Sequence, residues 1–315
     1  MMKKVILALG ALLPNEMHKL GAHFDVVRLW AEPDPEATLQ QHKDNIVAIL
    51  SSYNGLQVTR RIIESLPNVS LVAQFGAGID NIDLNALRDR DILLSNTPNI
   101  LTNDTADIAM ILTLNVMRRA VEADMYLRIG KWNSGAFPLS TSLTNKTMGI
   151  VGMGRIGQAI AKRATAFDMN VIYHGPREKQ NMPYQYYADL VQMAEACDVL
   201  MLACVGGDDT RHIINARVLK ALGSRGYVVN IARGSVIKTD DLLVALSNRS
   251  IAGVGLDVYD NEPNVPEALL NMDQVVLLPH IGSATLETRT QMGELVINNI
   301  VAHFEGRPLL TPFQL

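Results

Sequence analysis

Short apolar runs alternate with helical patterns along the first third of the chain. The helical periodicity predicts helices at Thr59–Ser65, which Pro67 and Asn68 would terminate, and at Leu84–Arg90. The apolar runs predict strands at Val5–Leu9, Asp25–Trp30, Ile46–Leu50, Leu71–Phe75 and Ile92–Ser95. Alternation of strands and helices in this way predicts a parallel, doubly wound sheet.

A second series of strands and helices follows Pro98. The stretch Asn103–Gly130 predicts one long helix, with Asn103 and Asp104 as its caps. Further helices are predicted at Arg155–Ala166, Leu190–Ala196, Ala216–Leu222 and Asp240–Ser247. Strands are predicted at Met148–Val151, Val171–Tyr173, Val199–Ala203, Tyr227–Ile231, Ala252–Asp257 and Val275–Leu278. Six strands with intervening helices match the strand count of a Rossmann sheet.

The last predicted helix, about Leu286–Phe304, begins after this second sheet is complete. We expect it to return to the first domain, which is then discontinuous. The predicted fold class is α/β, with two doubly wound parallel-sheet domains. A Rossmann cofactor domain of residues 99–285 is inserted into a flavodoxin-like substrate domain of residues 1–98 and 286–315.

The composition is that of an ordered protein with no strongly charged partner. The chain has 315 residues, 48% of them hydrophobic and 19% charged, so two domains with separate cores are expected. A net charge of -4 gives no electrostatic reason to expect nucleic acid or an anionic membrane as a partner. Cys197 and Cys204 are the two cysteines, too few for a disulfide framework or a zinc site. We therefore expect a reducing compartment, the cytoplasm, and no metal.

The N-terminal stretch Met1–Leu13 has a basic start and an apolar run, like a secretory signal. However, its small-x-small pair, Ala8 and Gly10, lies inside the apolar run rather than after it. A buried parallel strand at Lys4–Leu9 has the same pattern, and we favour that strand.

A glycine motif directly follows the strand Met148–Val151 and opens a helix. Gly152, Gly154 and Gly157 have the spacing that permits a tight turn, close approach of a pyrophosphate and close helix packing. The alternative is a glycine-rich turn without a ligand. Arg155, inside the motif, has two interpretations: it pairs with phosphate, or it is an ordinary exposed helix residue. Because a strand and a helix flank the motif, we expect a dinucleotide cofactor.

The end of the next strand decides which dinucleotide is expected. NAD-binding versions of the fold place an Asp or Glu there, but the chain has His174, Gly175 and then Arg177. An acid would repel a 2'-phosphate, whereas the Arg177 guanidinium can bind one in a bidentate manner. NADP is therefore the preferred cofactor and NAD remains possible. The alternative is that Arg177, with Glu178 and Lys179, is a solvated turn.

Three candidate catalytic residues lie at or beyond the carboxyl ends of later strands, where doubly wound sheets bind ligands. Arg233 suits a substrate carboxylate, and His280 suits proton transfer near neutral pH. A carboxylate such as Glu262 on the second imidazole nitrogen would select the tautomer of His280. Taken singly, each has an ordinary alternative as a surface or loop residue.

These motifs resemble those of the D-2-hydroxyacid dehydrogenase family. Within the family, the chain most resembles the glyoxylate/hydroxypyruvate and hydroxyphenylpyruvate reductases. The resemblance covers nearly the whole chain and is weakest before about Ile46. The motifs occur in family order, and the matching stretches are Gln74–Asp83, Ser95–Asp107, Gly149–Gly157, Asn230–Gly234, Gly255–Pro263, Leu278–Thr285 and Ala302–Pro312.

The resemblance implies a role for each matching residue. Arg233 would bind the substrate carboxylate and polarise its 2-oxo group, His280 would be the general acid, and Glu262 its partner. Backbone amides of Gly76, Ala77 and Gly78 would hold the carboxylate, together with Arg233 and His280. The implied cofactor contacts are Gly152, Gly154, Arg155, Ile156, Gly157, His174, Gly175, Arg177, Thr210, Ile231, Asp257, His280 and Ser283.

The resemblance also implies a nicotinamide cofactor in a cleft between the two domains, and a homodimer formed through the cofactor domain. The expected activity is NADPH-dependent reduction of glyoxylate and hydroxypyruvate to D-2-hydroxy acids. One alternative is reduction of bulkier 2-oxo acids such as phenylpyruvate or hydroxyphenylpyruvate. Another is a dinucleotide-sensing, corepressor-like binding protein, which the absence of a long tail after the last helix disfavours. Val205–Asp209 and Lys238 depart from the family pattern and affect loop detail only.

Overall fold

The computed structural model describes residues 3–53 and 55–315. The chain divides into two compact units, Met1–Leu101 with Ser283–Leu315, and Thr102–Gly282. The domain boundaries expected from the sequence lie three residues from these bounds at both junctions. The final helix of the chain therefore belongs to the first unit, because the second unit is inserted between Leu101 and Ser283.

The first unit begins with strands and helices in alternation. Its strands are β1 (Val5–Ala8), β2 (Asp25–Arg28), β3 (Ile46–Ser52), β4 (Leu71–Phe75) and β5 (Leu93–Ser95). Its helices are α1 (Pro14–His23), α2 (Pro35–His42), α3 (Arg60–Ser65) and α4 (Leu84–Arg88). Thr59 caps α3 and Asp83 caps α4, since each side chain accepts a hydrogen bond from a first-turn amide.

The second unit contains the motifs with candidate chemistry. Its helices are α5 (Thr102–Arg118), α6 (Ala120–Arg128), α7 (Arg155–Ala166), α8 (Leu190–Glu195), α9 (Ala216–Leu222), α10 (Thr239–Ser247) and α11 (Glu267–Leu270). Its strands are β6 (Thr147–Val151), β7 (Asn170–His174), β8 (Gln185–Tyr187), β9 (Val199–Leu202), β10 (Tyr227–Asn230), β11 (Gly253–Leu256) and β12 (Val275–Leu277). The chain then returns to the first unit with α12 (Leu286–Phe304) and β13 (Pro312–Phe313).

Both sheets have doubly wound strand orders. The first has the order β13-β5-β4-β3-β1-β2 and is parallel except at β13, which pairs antiparallel with β5. Without β13 this is the flavodoxin order. The second sheet has the order β12-β11-β10-β9-β6-β7-β8, and its described pairings are parallel. This order is the Rossmann order with β12 added at one edge. The predicted fold class is confirmed.

Burial explains why the strands could be predicted as apolar runs. Every residue of β9 is fully buried, and so are Ile6, Leu7 and Ala8 of β1. Helices cover both faces of a parallel sheet, so its central strands are nearly continuous apolar runs. In the second unit, one apolar cluster includes Met193, Val218 and Leu246 from α8–α10, and another includes Leu112 and Ile160 from α5 and α7. No helix among the described residues is both long enough and apolar enough to span a bilayer.

The predicted single helix over Asn103–Gly130 is wrong. The helix starts at Thr102, so Asn103 and Asp104 lie in its first turn instead of capping it. It breaks at Arg119, whose left-handed backbone (φ 55°, ψ 38°) cannot continue a right-handed helix. Arg119 pairs with Glu122, and its guanidinium lies 5.0 Å from the Phe137 ring centroid. Only the Phe137 contact lies outside the local pattern, and no Gly or Pro marks the break.

The predicted set of six strands in the second sheet is also incomplete. Strand β8 was not predicted, because Gln185–Tyr187 is short, is at most half-buried and has no apolar run. It occupies the third position of the Rossmann order beside β7. The predicted strand Val275–Leu278 corresponds to β12, the additional edge strand, so the agreement with a six-strand count was coincidental.

Candidate active site

Three loops of the second unit leave the sheet side by side. Asn230 at the end of β10 is in register with Leu256 at the end of β11, which is in register with Leu277 at the end of β12. Arg233, Glu262 and His280 lie in the segments that follow these three strand ends. Because the strands are parallel, the three segments start at the same edge of the sheet, where this fold binds ligands.

His280 and Glu262 form a hydrogen-bonded pair. Nδ1 of His280 lies 2.7 Å from Oε2 of Glu262, and the two side chains are 20% and 28% exposed. An ionised carboxylate only accepts hydrogen bonds, so Nδ1–H is the donor. Proton exchange with a bound molecule would then take place at Nε2. The structure brings this predicted pair together.

Burial opposes ionisation of Glu262, but its neighbours outweigh burial. The hydrogen bond and charge of His280, the Tyr259 amide and the charge of Arg233 together hold the pKa of Glu262 below its usual value. Glu262 therefore stays ionised at neutral pH. An ionised Glu262 keeps the Nδ1–H tautomer of His280 in place.

Asp257 holds the backbone of the His280 segment. Its Oδ1 accepts a hydrogen bond from the Ile281 amide at 2.7 Å, and its Oδ2 accepts one from the Gly282 amide at 2.8 Å. The residue is 1% exposed, and burial raises the pKa of its carboxyl despite these amides and the charge of His280. His280 has a left-handed φ of 54°, so this clamp stabilises a conformation that side chains rarely adopt.

The Asn230 side chain holds the backbone around Arg233, as Asp257 holds the backbone after His280. Asn230 was not predicted as a site residue. Its Nδ2 donates to the Arg233 carbonyl at 2.9 Å, and its Oδ1 accepts from the Ala232 amide at 3.0 Å. The side chain is fully buried, so both amide atoms are committed to the backbone around Arg233. The signal in the sequence was a polar residue at the end of an apolar strand, inside one of the stretches that resemble the family.

The glycine motif has the geometry that a dinucleotide requires. Gly152 has φ 96°, and a Cβ there would lie 2.5 Å from the Cα of Cys204, so the strand end needs glycine. A Cβ on Gly157 would lie 2.2 Å from the Gly152 carbonyl oxygen, which shows how closely α7 packs on β6. Around Gly154, by contrast, there is open space, and no described side chain caps α7. An uncapped helix N-terminus beside an open glycine fits a pyrophosphate.

Strand β7 pairs with β6, so its end lies beside the end of the strand that leads into the glycine motif. His174 is in register with Val151, and its Nδ1 donates to the Tyr187 carbonyl of β8 at 2.9 Å. The Gly175 carbonyl accepts from the Tyr186 hydroxyl at 3.0 Å. Arg177 is exposed and, within residues 3–53 and 55–315, makes no hydrogen bond or ion pair.

The other predicted cofactor residues differ in their surroundings. Arg155 is exposed and Ile156 half-buried in the first turn of α7, and Ile231 is buried after β10. The Thr210 hydroxyl donates to the Val205 carbonyl at 2.7 Å, so it holds its own loop. Ser283 belongs to the first unit, where its carbonyl accepts from Arg289. Their contacts with a cofactor stay predictions.

The predicted carboxylate-binding loop also lies in the first unit, after β4. The Gly76 amide donates to the Thr97 hydroxyl at 3.0 Å in a buried position, so it is already engaged. The amides of Ala77 and Gly78 donate no hydrogen bond to another described residue. We therefore restrict the predicted contact to these two amides. No group of three or more His, Cys, Asp or Glu side chains that could hold a metal occurs in the described part of the chain.

Comparison with known proteins decides the family. Residues 110–282 match the family model of the D-isomer specific 2-hydroxyacid dehydrogenase, NAD binding domain. The chain belongs to the D-isomer specific 2-hydroxyacid dehydrogenase family. The family expected from the sequence is confirmed, and so is the expectation of an enzyme. The matched region includes the glycine motif and all three catalytic candidates of this dehydrogenase.

Relatives match the dehydrogenase over nearly its full length. It is 41% identical to glyoxylate/hydroxypyruvate reductase A of Arabidopsis thaliana, over 96% of each chain. It is also 41% identical to hydroxyphenylpyruvate reductase of Plectranthus scutellarioides, over 97% of this chain and 99% of the other. An NADPH-dependent glyoxylate/hydroxypyruvate reductase of Sinorhizobium meliloti, solved with NADP and malonate, is 38% identical, with a TM-score of 0.91. That alignment covers 99% of this chain and 97% of the other.

Replacing Gly154 with alanine tests the dinucleotide site. The new Cβ meets no protein atom within 4 Å, and φ is -75°, so we expect the free energy of unfolding to change by no more than about 0.5 kcal/mol. The methyl group occupies the space open to a pyrophosphate, so we expect the Kd for NADPH to rise about tenfold or more. Calorimetric titration and denaturant unfolding measure the two effects. Gly21→Ala, at another open glycine, is the control, and an unchanged Kd would contradict the assignment.

Proposed function

We propose that the protein is an NADPH-dependent reductase of small 2-oxo acids, glyoxylate and hydroxypyruvate, and that it forms the D-2-hydroxy acids. The observation that carries the proposal is the 2.7 Å His280–Glu262 pair on the same sheet edge as Arg233. The names of the Arabidopsis and Sinorhizobium relatives support the substrate class.

Each catalytic side chain has a defined task in this proposal. Reduced nicotinamide, when bound, supplies the hydride that adds to the 2-oxo carbon. The Nε2–H of a doubly protonated His280 donates a proton to the developing alkoxide, while Glu262 stabilises the imidazolium through Nδ1. The Arg233 guanidinium binds the substrate carboxylate and stabilises charge that grows on the 2-oxo oxygen. The amides of Ala77 and Gly78 are proposed as further carboxylate donors.

The preference for NADPH rests on the charge at the end of β7. His174, Gly175 and Arg177 stand where an acid would repel a 2'-phosphate, and Arg177 has no partner among the described residues. The Sinorhizobium relative, whose structure contains NADP, supports the same preference. In this proposal, Arg177 binds the 2'-phosphate as a bidentate donor.

We also propose a homodimer in the cytoplasm. Helix α6 has no buried residue, and Val121, Met125 and Ile129 form a stripe at four-residue spacing, each more than half exposed. A second copy of the chain is the partner that would cover this stripe, and sedimentation equilibrium measures whether it does. Both cysteines are free thiols, which supports a reducing compartment. Fractionation of cells that express the protein tests the location.

The function is tested by following reduced-nicotinamide absorbance with hydroxypyruvate, glyoxylate and phenylpyruvate. We expect the two small acids to be reduced faster than phenylpyruvate when NADPH is present. Faster reduction of phenylpyruvate would assign the chain to bulkier acids, as the name of the Plectranthus relative suggests for that protein. If none of the acids is reduced with NADPH or NADH, a dinucleotide-binding protein replaces the proposed enzyme.

Arg177→Ala tests the choice of coenzyme. Removing the guanidinium removes the 2'-phosphate contact, so we expect the KM for NADPH to rise about tenfold and the KM for NADH to stay within about twofold. Arg217→Ala removes another exposed arginine of the same unit and is the control. Equal effects on the two coenzymes would mean that Arg177 belongs to a solvated turn. Steady-state kinetics with each coenzyme gives both constants.

His280→Gln tests the proton donor. We expect kcat to fall by about 10²- to 10⁴-fold, because glutamine cannot donate a proton to the alkoxide, while the KM for hydroxypyruvate changes little. Arg233→Ala should instead raise KM and lower kcat together, since that side chain both binds and polarises the substrate. His18→Gln, at an exposed histidine of α1, is the control. Unimpaired turnover in His280→Gln would remove His280 from the mechanism.

A further inference from the structure

Tyr259 contacts the segment of every catalytic candidate in the second unit. It follows β11, three residues before Glu262, and no role was assigned to it from the sequence. Its backbone amide donates to Oε1 of Glu262 at 2.9 Å, while the other oxygen of that carboxylate accepts from His280. The Tyr259 amide therefore orients the carboxylate whose second oxygen selects the tautomer of His280.

The hydroxyl of Tyr259 reaches the His280 segment directly. It donates to the Leu278 carbonyl at 2.9 Å, two residues before His280, and the Leu256 carbonyl lies further away at 3.4 Å. A phenol has one hydrogen, so the shorter contact takes it. Burial and the charges of Asp257 and Glu262 raise the pKa of Tyr259 to about 12. The hydroxyl is thus protonated, and can donate, at neutral pH.

The backbone of Tyr259 also packs against the Arg233 segment. A Cβ placed on Gly234 would lie 1.9 Å from the carbonyl carbon of Tyr259 and 2.1 Å from the amide nitrogen of Asp260. The residue after Arg233 is therefore in direct contact with the Tyr259–Asp260 peptide. A shift of Tyr259 would move both this segment and the Glu262 segment.

Tyr259 packs against the apolar core of the second unit on one side and borders a cavity on another. A cavity of about 320 Å³ lies beside Tyr259 and the loop that follows it, lined mainly by apolar side chains that include Leu242, Leu256, Val265 and Leu269. On the side that faces the cavity, packing does not hold this segment. The hydrogen bonds of Tyr259 and its contact with Gly234 therefore act together with the core contacts to set its position.

We propose that Tyr259 is a positioning residue that joins the Arg233, Glu262 and His280 segments into one rigid unit. The proposal rests on the proposed function, in which these three side chains carry out the reduction. Its hydroxyl aligns His280 for proton transfer, and its backbone aligns Glu262 and Arg233. Loss of the hydroxyl alone should impair proton delivery more than substrate binding.

Tyr259→Phe removes only this hydroxyl. We expect kcat with hydroxypyruvate and NADPH to fall about five- to tenfold, while the KM for hydroxypyruvate changes by less than about twofold. We also expect the ¹⁵N NMR signals of His280 to change from the single Nδ1–H tautomer to a mixture of tautomers. The His280 signals are assigned by their absence in His280→Gln. Tyr227→Phe is the matched control, because it removes a hydroxyl bonded to Thr141 at the opposite end of the sheet.

The tautomer measurement needs no substrate, so it separates this proposal from the proposed function. If the wild-type protein reduces none of the acids, the proposed function fails, and the NMR signals alone decide the role of Tyr259. A Tyr259→Phe protein with wild-type kcat and a single tautomer overturns the proposal. A fall in kcat without a change of tautomer overturns it too, because positioning of His280 is then not what the hydroxyl provides. The variant loses a single hydrogen bond, so we expect it to fold.

Discussion

The arrangement of the catalytic side chains depends on the register of β10, β11 and β12. Parallel pairing places Asn230, Leu256 and Leu277 side by side, so the segments that follow these residues start at one edge of the sheet. A slip of one residue in a parallel strand would turn its buried side chains to the opposite face. Because helices pack closely on both faces of this sheet, each side chain of the slipped strand would meet a helix surface that it does not fit. The apolar core therefore determines where the polar site is built.

Much of the fold could be predicted because buried parallel strands appear in the sequence as apolar runs with sharp ends. The predicted bounds of β4, α7 and α12 coincide with those in the structure. Strand β8 and the break at Arg119 could not be predicted in this way. Strand β8 is too short and too polar to give a pattern, and the break at Arg119 is accompanied by a contact with Phe137, eighteen residues further along the chain. Both are decided by neighbours distant from the local pattern.

The residues of the site also divide into those that the local sequence indicates and those that depend on contacts seen only in the structure. His280, Glu262 and Arg233 could be proposed because their chemistry suits proton transfer and carboxylate binding, and their positions follow strand ends. Asn230 and Tyr259 act through hydrogen bonds to backbone atoms. The partners of such hydrogen bonds cannot be inferred from the residue type. The amide of Gly76 is a similar case, since only the structure shows that Thr97 already engages it.

The two carboxylates of the site illustrate how environment divides their tasks. Burial raises the pKa of Asp257, which faces two backbone amides, whereas the pKa of Glu262 is lowered because His280 and its other neighbours outweigh burial. A carboxyl with a lowered folded pKa stabilises the fold above its unfolded pKa, and this contribution is lost as the pH falls through the folded pKa. Asp257 has the opposite sign, because its ionisation above the unfolded pKa opposes folding. The neighbours of Glu262 thus favour the ionised form that keeps the Nδ1–H tautomer of His280 in place, whereas the charge on Asp257 is opposed by burial and stabilised by the two loop amides.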